Sequence, residues 1–489
     1  MAEPLLLAFD LGTTRLKVVA FDERGALLGR EASRHREHAD GERAWQDPDA
    51  WWADACALSR RLLARPELAR REVAGCSLSG RGGGFVALDG AGATLAGSWS
   101  DRRHAAQLAW LVEWRREGGH LANYAAALLA KLLYLREHEP AVAARVRHAL
   151  YAKDFLLYRM TDEAVTDPTS GPDREDFDPR ALAHARVARE LLPRVAPPWA
   201  VAGRVTPEAA RALGVPAGVP VAVGGHDGIC ANVGAGAGTV GAYAVTIGTH
   251  AVVRAVTAEQ PPGSYRFYGL PPGRHVIGGN AVMAGRAADW FVDTWLEAPA
   301  EEARAEAFAR VDAEAAAVPP GARGVRFLPF LAGQVAPDAR PGAAAAFVGL
   351  RASHGRGEMF RALLEGGAFA IRSIFEQVRG WCGEPAVVRF TGSGAQSEVW
   401  RGIIVDALGR ACEVTDHVAE ARGAAIYLAV ALGLHPNVDE AAAALVRPSA
   451  RIEPDAARAA AYEGLYREWL RVAEALRPLD ASEPAGGPV

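Results

Sequence analysis

The sequence is short of the residues that staple a fold or hold a transition metal. Its 489 residues include five cysteines, Cys56, Cys76, Cys230, Cys382 and Cys412, which are scattered, odd in number and free of any C-x-x-C pair. That pattern excludes a disulfide framework and a cysteine zinc site, and leaves buried thiols as the expectation. The 13 histidines show no ligand spacing; His35 and His38 lie in the charged stretch Arg34–His38, which reads as a solvated loop. No apolar run reaches the roughly 18 residues of a membrane-spanning helix, and Met1-Ala2-Glu3-Pro4 lacks the basic start of a secretory leader. A cytoplasmic protein with no membrane partner is expected. Charge of one sign is also scarce, with 54 Lys and Arg against 58 Asp and Glu and a formal net charge of -4. No basic stripe interleaves with aromatics, so nucleic acid is not an expected partner and small neutral or anionic ligands are.

What is present is ample apolar content, half of all residues, in a chain longer than one core usually organises. Two large domains, or two with a tail, are expected. Strand-like runs alternate with amphipathic stretches, the pattern of an α/β protein. The first half reads as a hairpin over 5–30, a helix from Asp47-Pro48, a strand at Val73–Leu78, a hairpin turning at Asp89-Gly90, and a helical region over 103–160. Within that region Ala125–Leu135 is apolar on nearly every face and reads as a buried helix. A strand over Val219–Gly225 runs into a helix at His226-Asp227, and the main boundary falls between Gly228 and Gly241. Beyond it the sequence predicts helices at Ala284–Trp295, 298–318, 358–380, 396–409 and from Glu420, with a strand at Ala386–Thr391; 481–489 reads as a flexible tail.

A strand-turn-strand element occurs twice, from Leu5 to Val19 and from Ala242 to Val253. Each copy puts a Gly-Thr pair at its tip, Gly12-Thr13-Thr14 in the first and Gly248-Thr249 in the second. Glycine lets backbone N–H groups approach an anion, and threonine adds a hydroxyl, so each tip is a candidate phosphate cradle as well as an ordinary hairpin turn. Asp10 ends the strand before the first tip. A carboxylate there repels phosphate unless a cation intervenes, which points to Mg²⁺ held through oxygen and water; the plainer reading is a turn-initiating Asp. Lys17, in the return strand, reads either as a phosphate ligand or as a solvent-facing residue. Asp227 is at once a candidate helix N-cap and a candidate functional residue at the carboxyl end of a strand. A third glycine cluster, Thr391-Gly392-Ser393-Gly394-Ala395-Gln396-Ser397, follows a strand and opens a helix, as a nucleotide loop or a tight turn does.

In their order along the chain these elements resemble the FGGY carbohydrate kinase family, from about residue 5 to about 435. The likeness is carried by Asp10–Thr14 with Lys17, Trp45-Gln46-Asp47-Pro48 with Trp51-Trp52, Trp99-Ser100-Asp101-Arg102-Arg103, Lys131–Pro140, Tyr151–Asp154, Gly225-His226-Asp227, Thr246–Thr249, Phe330–Gln334 and Gly392–Ala395, and by the run from Ala345 to Glu365. The resemblance implies two ribonuclease-H-like (actin-like ATPase) domains with a cleft between them: 1–235 on the sugar side, 236–435 on the nucleotide side, and 436–480 as helices packing back on the body. It implies ATP-dependent phosphorylation of a small sugar, with ATP and Mg²⁺ as cofactors and a homodimer as the family-level assembly. Asp227 would be the general base; Gly12, Thr13, Thr14, Lys17, Gly248 and Thr249 would meet phosphates; Gly285, Gly392, Ser393, Gly394 and Ser397 would hold ADP; Asp10 and Asp227 would address Mg²⁺ mostly through water. Motif order is most like the xylulokinase branch, with ribulose, gluconate, glycerol and tetritol kinases, and an inactive nucleotide- and sugar-binding regulator, as the alternatives.

The sequence departs from the family where the sugar binds. Many members carry a Gly-Gln-Met-His-Gly-like stretch, whereas this chain reads Gly80-Arg81-Gly82-Gly83-Gly84. Two expected side chains are missing. Either a gap admits a longer or branched sugar, or Arg81 swings in toward an anionic substrate, or the glycines only permit a turn. His226 replaces the commoner glycine before the base, as a sugar contact or as a cap. Trp99 and Asp101 match substrate-proximal positions, with Trp99 as an apolar wall.

Overall fold

Leu5 to Phe9 is apolar on both faces, which suits a strand covered on both sides. It forms β1 (Glu3–Leu11), buried from Leu5 to Leu11, paired antiparallel with β2 (Arg15–Asp22), which pairs antiparallel with β3 (Leu27–Arg34). This computed structural model describes the chain apart from residues 1–2, 41–42, 99–101, 117, 119–120, 249, 282–283, 297–300, 335–338, 393, 395–396 and 481–489, so the tail lies outside it. Asp47 caps α1 (Pro48–Leu63) by accepting from the Asp49 N–H, and Pro48 supplies the fixed first-turn φ. The helix buries Trp51, Ala55, Leu58 and Leu62, one helical stripe, against β2 and β3. Parallel to β1 runs β4 (Arg71–Gly80), with Leu11 opposite Gly80. The expected loop at His35 and His38 is more ordered than that: Glu37–Asp40 pairs with Arg43–Gln46, His38 stacks on Trp45, and His35 is half-buried.

A hairpin of β5 (Phe85–Leu88) and β6 (Thr94–Ser98) turns at Asp89, and the buried α2 (Asn123–His138) follows. The region read as helical to 160 is interrupted by β7 (His148–Leu150), which pairs with β5 before α3 (Ala152–Thr161). Ala149 and Leu150, consecutive and so on opposite faces of that small sheet, are each buried in a different core, a requirement set by tertiary neighbours. The main sheet of this unit runs β8 (Val201–Arg204), β9 (Pro220–Ala222), β4, β1, β2, β3. The single strand expected over Val219–Gly225 is broken into β9 and β10 (Gly225–His226), both on β4. Gly224 makes the break: its φ is +72°, and a Cβ there would lie 1.8 Å from the Leu78 carbonyl oxygen. α4 (Asp227–Gly234) follows without a loop.

The second unit repeats the frame. β11 (Ala242–Ile247) pairs antiparallel with β12 (Ala251–Thr257), which pairs with β13 (Arg274–Ala281). The helix α5 (Ala284–Trp295) and the long α6 (Arg356–Cys382) precede β14 (Val387–Thr391), which lies parallel to β11. α7 (Glu398–Leu408) and β15 (Cys412–Val414) follow, with β15 parallel to β14 on one side and antiparallel to the edge strand Ala450–Ile452 on the other. Its core gathers Val245, Ile247, Val253, Phe291, Phe369, Phe375 and Phe390 between sheet and helices.

The chain divides into one unit of 1–236, 268–273 and 418–447 and another of 237–267, 274–417 and 448–489. Thus α8 (Ala419–Ala431), which the sequence groups with 236–435, packs in the first unit, on α4, β4 and β1. Glycines permit it: a Cβ at Gly234 would meet the Ala419 carbonyl at 1.9 Å, and one at Gly423 would meet the Cys230 carbonyl at 2.1 Å. Among the described residues no helix is long and apolar enough to cross a membrane.

Candidate active site

Three parallel strands of the first unit, β1, β4 and β10, end side by side, at Leu11, Gly80 and His226. Their carboxyl ends bring together Asp10, Arg81 and Asp227, the place from which α/β sheets address ligands. Asp10 sits directly across from Lys17, and its Oδ2 accepts from Lys17 Nζ at 3.0 Å. Lys17 is therefore held against the buried Asp10, with its own side chain about 31% exposed. Asp10 raises the Lys17 pKa above its usual value against the opposing effect of burial, with Glu420 and Asp227 adding to the rise. Glu420, in the first turn of α8, has an oxygen 3.9 Å from Lys17 Nζ. Burial pushes its carboxyl up and Lys17 pulls it down, with a net rise.

The first tip is braced from α1. Gln46 Nε2 donates to the Thr13 carbonyl at 3.0 Å, and Trp51 Nε1 holds Gln46 Oε1 at 3.1 Å. The Gly12 N–H bonds the Arg15 carbonyl, and Thr14 is exposed. Arg81 is exposed and donates to Thr13 Oγ1 at 2.7 Å, so it sits on the tip.

His226, not Asp227, is the helix N-cap: its Nδ1 accepts from the Gly228 N–H at 3.0 Å. Asp227 is the first helical residue, its side chain about 29% exposed, with Oδ1 accepting from the same N–H at 2.6 Å. The junction is anchored from below. The His226 N–H bonds Thr169 Oγ1 at 2.9 Å, and the Thr169 hydroxyl and N–H bond the Asp167 carboxylate. Buried Lys153 lies 3.0 Å from Asp167 Oδ1 and donates to Asp154.

No gap opens at Gly82-Gly83. A Cβ at Gly82 would lie 2.4 Å from the Tyr124 ring, and Gly83 has a φ of +78° with the same ring 3.7 Å from where its Cβ would be. Two turns along α2 from Tyr124, on the same face, buried Lys131 donates to the Gly83 carbonyl at 2.8 Å. Sequence reading missed Tyr124, Thr169 and Glu420; the only local signal was a helix beginning near Glu420.

In the second unit the Gly248 N–H bonds the His250 carbonyl, and Thr249 lies outside the described residues, as do Trp99, Asp101 and Ser393. Gly392 has a φ of +95°, with a Cβ position 2.3 Å from the Ile247 carbonyl oxygen, and a Cβ at Gly394 would meet the Ile247 side chain at 2.4 Å. Glycine is thus required for this loop to lie against β11. Ser397 caps α7, accepting from the Trp400 N–H at 3.1 Å, and Gly285 is in the first turn of α5.

Residues 5–234 match the N-terminal domain model, and residues 243–432 the C-terminal domain model, of the FGGY family of carbohydrate kinases. The chain is 28% identical to xylulose kinase of Escherichia coli (strain K12), over 98% of this chain and 100% of that one. It is 26% identical to gluconokinase of Bacillus licheniformis, over 82% of each. A crystal structure of xylulose kinase from Rhodospirillum rubrum superposes with a TM-score of 0.82 at 28% identity, covering 97% of this chain and 99% of that one.

Proposed function

The chain belongs to the FGGY family of carbohydrate kinases, and from that membership we propose that Asp227 is the base through which it phosphorylates a ketose or related small sugar. The protein is an ATP-dependent sugar kinase, and its units carry the actin-like ATPase fold of the family. The observation that carries the proposal is the placement of Asp227 on the first turn of α4. Oδ1 is held by a backbone N–H while the side chain stays open to a substrate. Oδ2 is the oxygen left to take a hydroxyl proton as the sugar oxygen attacks the γ-phosphate. The four-member anchor from Lys153 through Asp167 and Thr169 to the His226 N–H holds that carboxylate in place.

Asp10 fits a partner of the Mg²⁺ that accompanies ATP. Its Oδ2 is taken by Lys17, while its buried Oδ1 has no hydrogen-bond partner among the described residues. No group of three or more His, Cys, Asp or Glu that could hold a metal occurs among the described residues, which suits a cation reached through water and carried by phosphate oxygens. Mg²⁺ bound there would offset phosphate charge. Lys17 and Thr13 then supply fixed positive charge and a hydroxyl beside it.

The xylulose and gluconate kinases among its relatives bracket the substrate as a ketopentose or a sugar acid of similar length. Arg81 is engaged with Thr13 at the phosphate tip, which favours a neutral sugar. The test is ADP release with Mg-ATP across ketopentoses, ketohexoses, tetritols, glycerol and sugar acids, with Asp227→Asn in parallel. The variant is expected to lose about 10²- to 10⁴-fold in kcat while still binding ADP. Turnover that survives the substitution overturns the base.

A further inference from the structure

Gly82 and Gly83 are the positions at which this chain breaks its family's pattern, and the structure shows what occupies the vacated space. The Tyr124 ring lies so close to Gly82 that Cζ, Cε1 and Cε2 would stand 2.4, 2.5 and 2.6 Å from any Cβ there. The ring also stacks on His226, with centroids 5.0 Å apart and planes 23° apart, and Tyr124 Oη lies 2.8 Å from His226 Nε2. Tyr268, in the segment 268–273 of the same unit, stacks at 6.2 Å on Tyr124 and lies 4.5 Å from His226.

The hydrogen bonds set the polarity of this group. Nδ1 of His226 accepts from the Gly228 N–H, so the proton of the neutral imidazole is on Nε2. Nε2–H then donates to Tyr124 Oη, and the phenol proton points away from the imidazole. The acceptor it has, Tyr268 Oη, is 3.4 Å away, long for an O–H···O bond and readily exchanged for a better-placed acceptor. Burial and the neighbouring Tyr268 hold the phenol well above its ordinary pKa, so it stays a donor. The other side of the same imidazole faces Asp227, with Nδ1 3.3 Å from Oδ1. Carboxylate and phenol are thus held off opposite nitrogens of one ring, a separation a small sugar spans.

We propose that Tyr124 sets the sugar specificity of this kinase: its ring occupies the pocket volume that side chains at 82 and 83 would fill, and its hydroxyl donates to a sugar oxygen remote from the one Asp227 deprotonates. This rests on Asp227 being the base. The pocket is closed on that side, so compact unbranched sugars are accepted and a chain extended toward residue 82 is refused.

The experiment is a double-mutant cycle on the sugar that turns over best, with its homologue one carbon longer as a second substrate. Tyr124→Phe keeps the ring and loses the donor; KM for the preferred sugar rises about 3- to 10-fold with kcat nearly unchanged, the worth of one hydrogen bond. Tyr124→Ala raises that KM further and improves kcat/KM for the longer homologue. Gly82→Ala impairs the enzyme at least about 10-fold beside Tyr124, and is nearly neutral in the Tyr124→Ala background, because the clash is gone. ADP affinity and melting temperature report folding, and Tyr124→Phe carries the test if the alanine variant does not fold. An unchanged KM and sugar ranking in folded Tyr124→Phe and Tyr124→Ala overturns the proposal, as does equal harm from Gly82→Ala in both backgrounds. The kinase reading survives either result so long as Asp227→Asn remains inactive.

Discussion

The two Gly-Thr hairpins share a frame and differ in chemistry. In each, an antiparallel pair is flanked by a strand parallel to its first member, β4 beside β1 and β14 beside β11. The residue two before the tip glycine is Asp10 opposite Lys17 in the first unit, and Thr246 opposite Val252 in the second. The first hairpin therefore buries an ion pair within the field of Glu420 and Asp227, whereas Thr246 accepts one hydrogen bond from Arg254 Nη1 at 3.2 Å. The residue after the flanking strand differs as well. Arg81 reaches the first tip with a guanidinium; Gly392 presses backbone against the second. The frame places a tip, and the side chains at the same register decide whether it supplies charge or backbone donors.

The largest effect that tests this contrast is on the ion pair. Lys17→Met leaves Asp10 buried and uncompensated and is expected to cost about 3 kcal/mol of stability. Thr246→Val, which removes a hydroxyl acceptor from the Arg254 guanidinium and leaves no carboxylate stranded, is expected to cost about 1.5 kcal/mol. Urea unfolding of both variants compares them, and equal losses would break the contrast. Next come the glycines. Gly392→Ala forces an L-residue into left-handed backbone against the Ile247 carbonyl, at a cost of about 1–3 kcal/mol and with weakened ADP binding. In Gly12→Ala the nearest atom to the new Cβ is 3.2 Å away, with no left-handed φ, and a loss below about 1 kcal/mol is expected. Calorimetry with ADP on both variants reads the difference; a Gly12→Ala loss as large as that of Gly392→Ala would mean that the first tip depends on close backbone approach as much as the loop beside the second does. The smallest effect belongs to the brace. Gln46→Leu removes the bond to the Thr13 carbonyl and should cost about 1 kcal/mol, with a raised KM for ATP measured by steady-state kinetics and little change in KM for the sugar.

Much of the scaffold was legible because its signals are local. The unbroken apolar run of β1, the Asp47-Pro48 start of α1, the strand-to-helix passage at His226-Asp227 and the helix at Ala284–Trp295 each follow from residues within a turn or two of one another. Lys17 was ambiguous because a return strand has two faces, and only the register with Asp10 settles what its side chain meets. The Gly82-Gly83 pair left a gap, an inward Arg81 and a plain turn all open, because the ring that packs on Gly82 lies some forty residues on, in another element. Asp227 and His226 were both candidates for the cap at α4, and the break at Gly224 and the pairing of β10 with β4 set the helix start so that His226 caps it.

By itself the sequence determined the α/β class, the two tips, the strand-end position of Asp227 and the family to which the chain belongs, because periodicity, turn chemistry and ordered motifs are carried by neighbours along the chain. Only the tertiary structure decided that Tyr124 seats on Gly82, that Glu420 joins Asp10 and Lys17, and that Ala419–Ala431 packs in the first unit. Those contacts join residues far apart in sequence. Their specificity comes from close packing, where the absence of one Cβ admits a particular ring or carbonyl and nothing local records which.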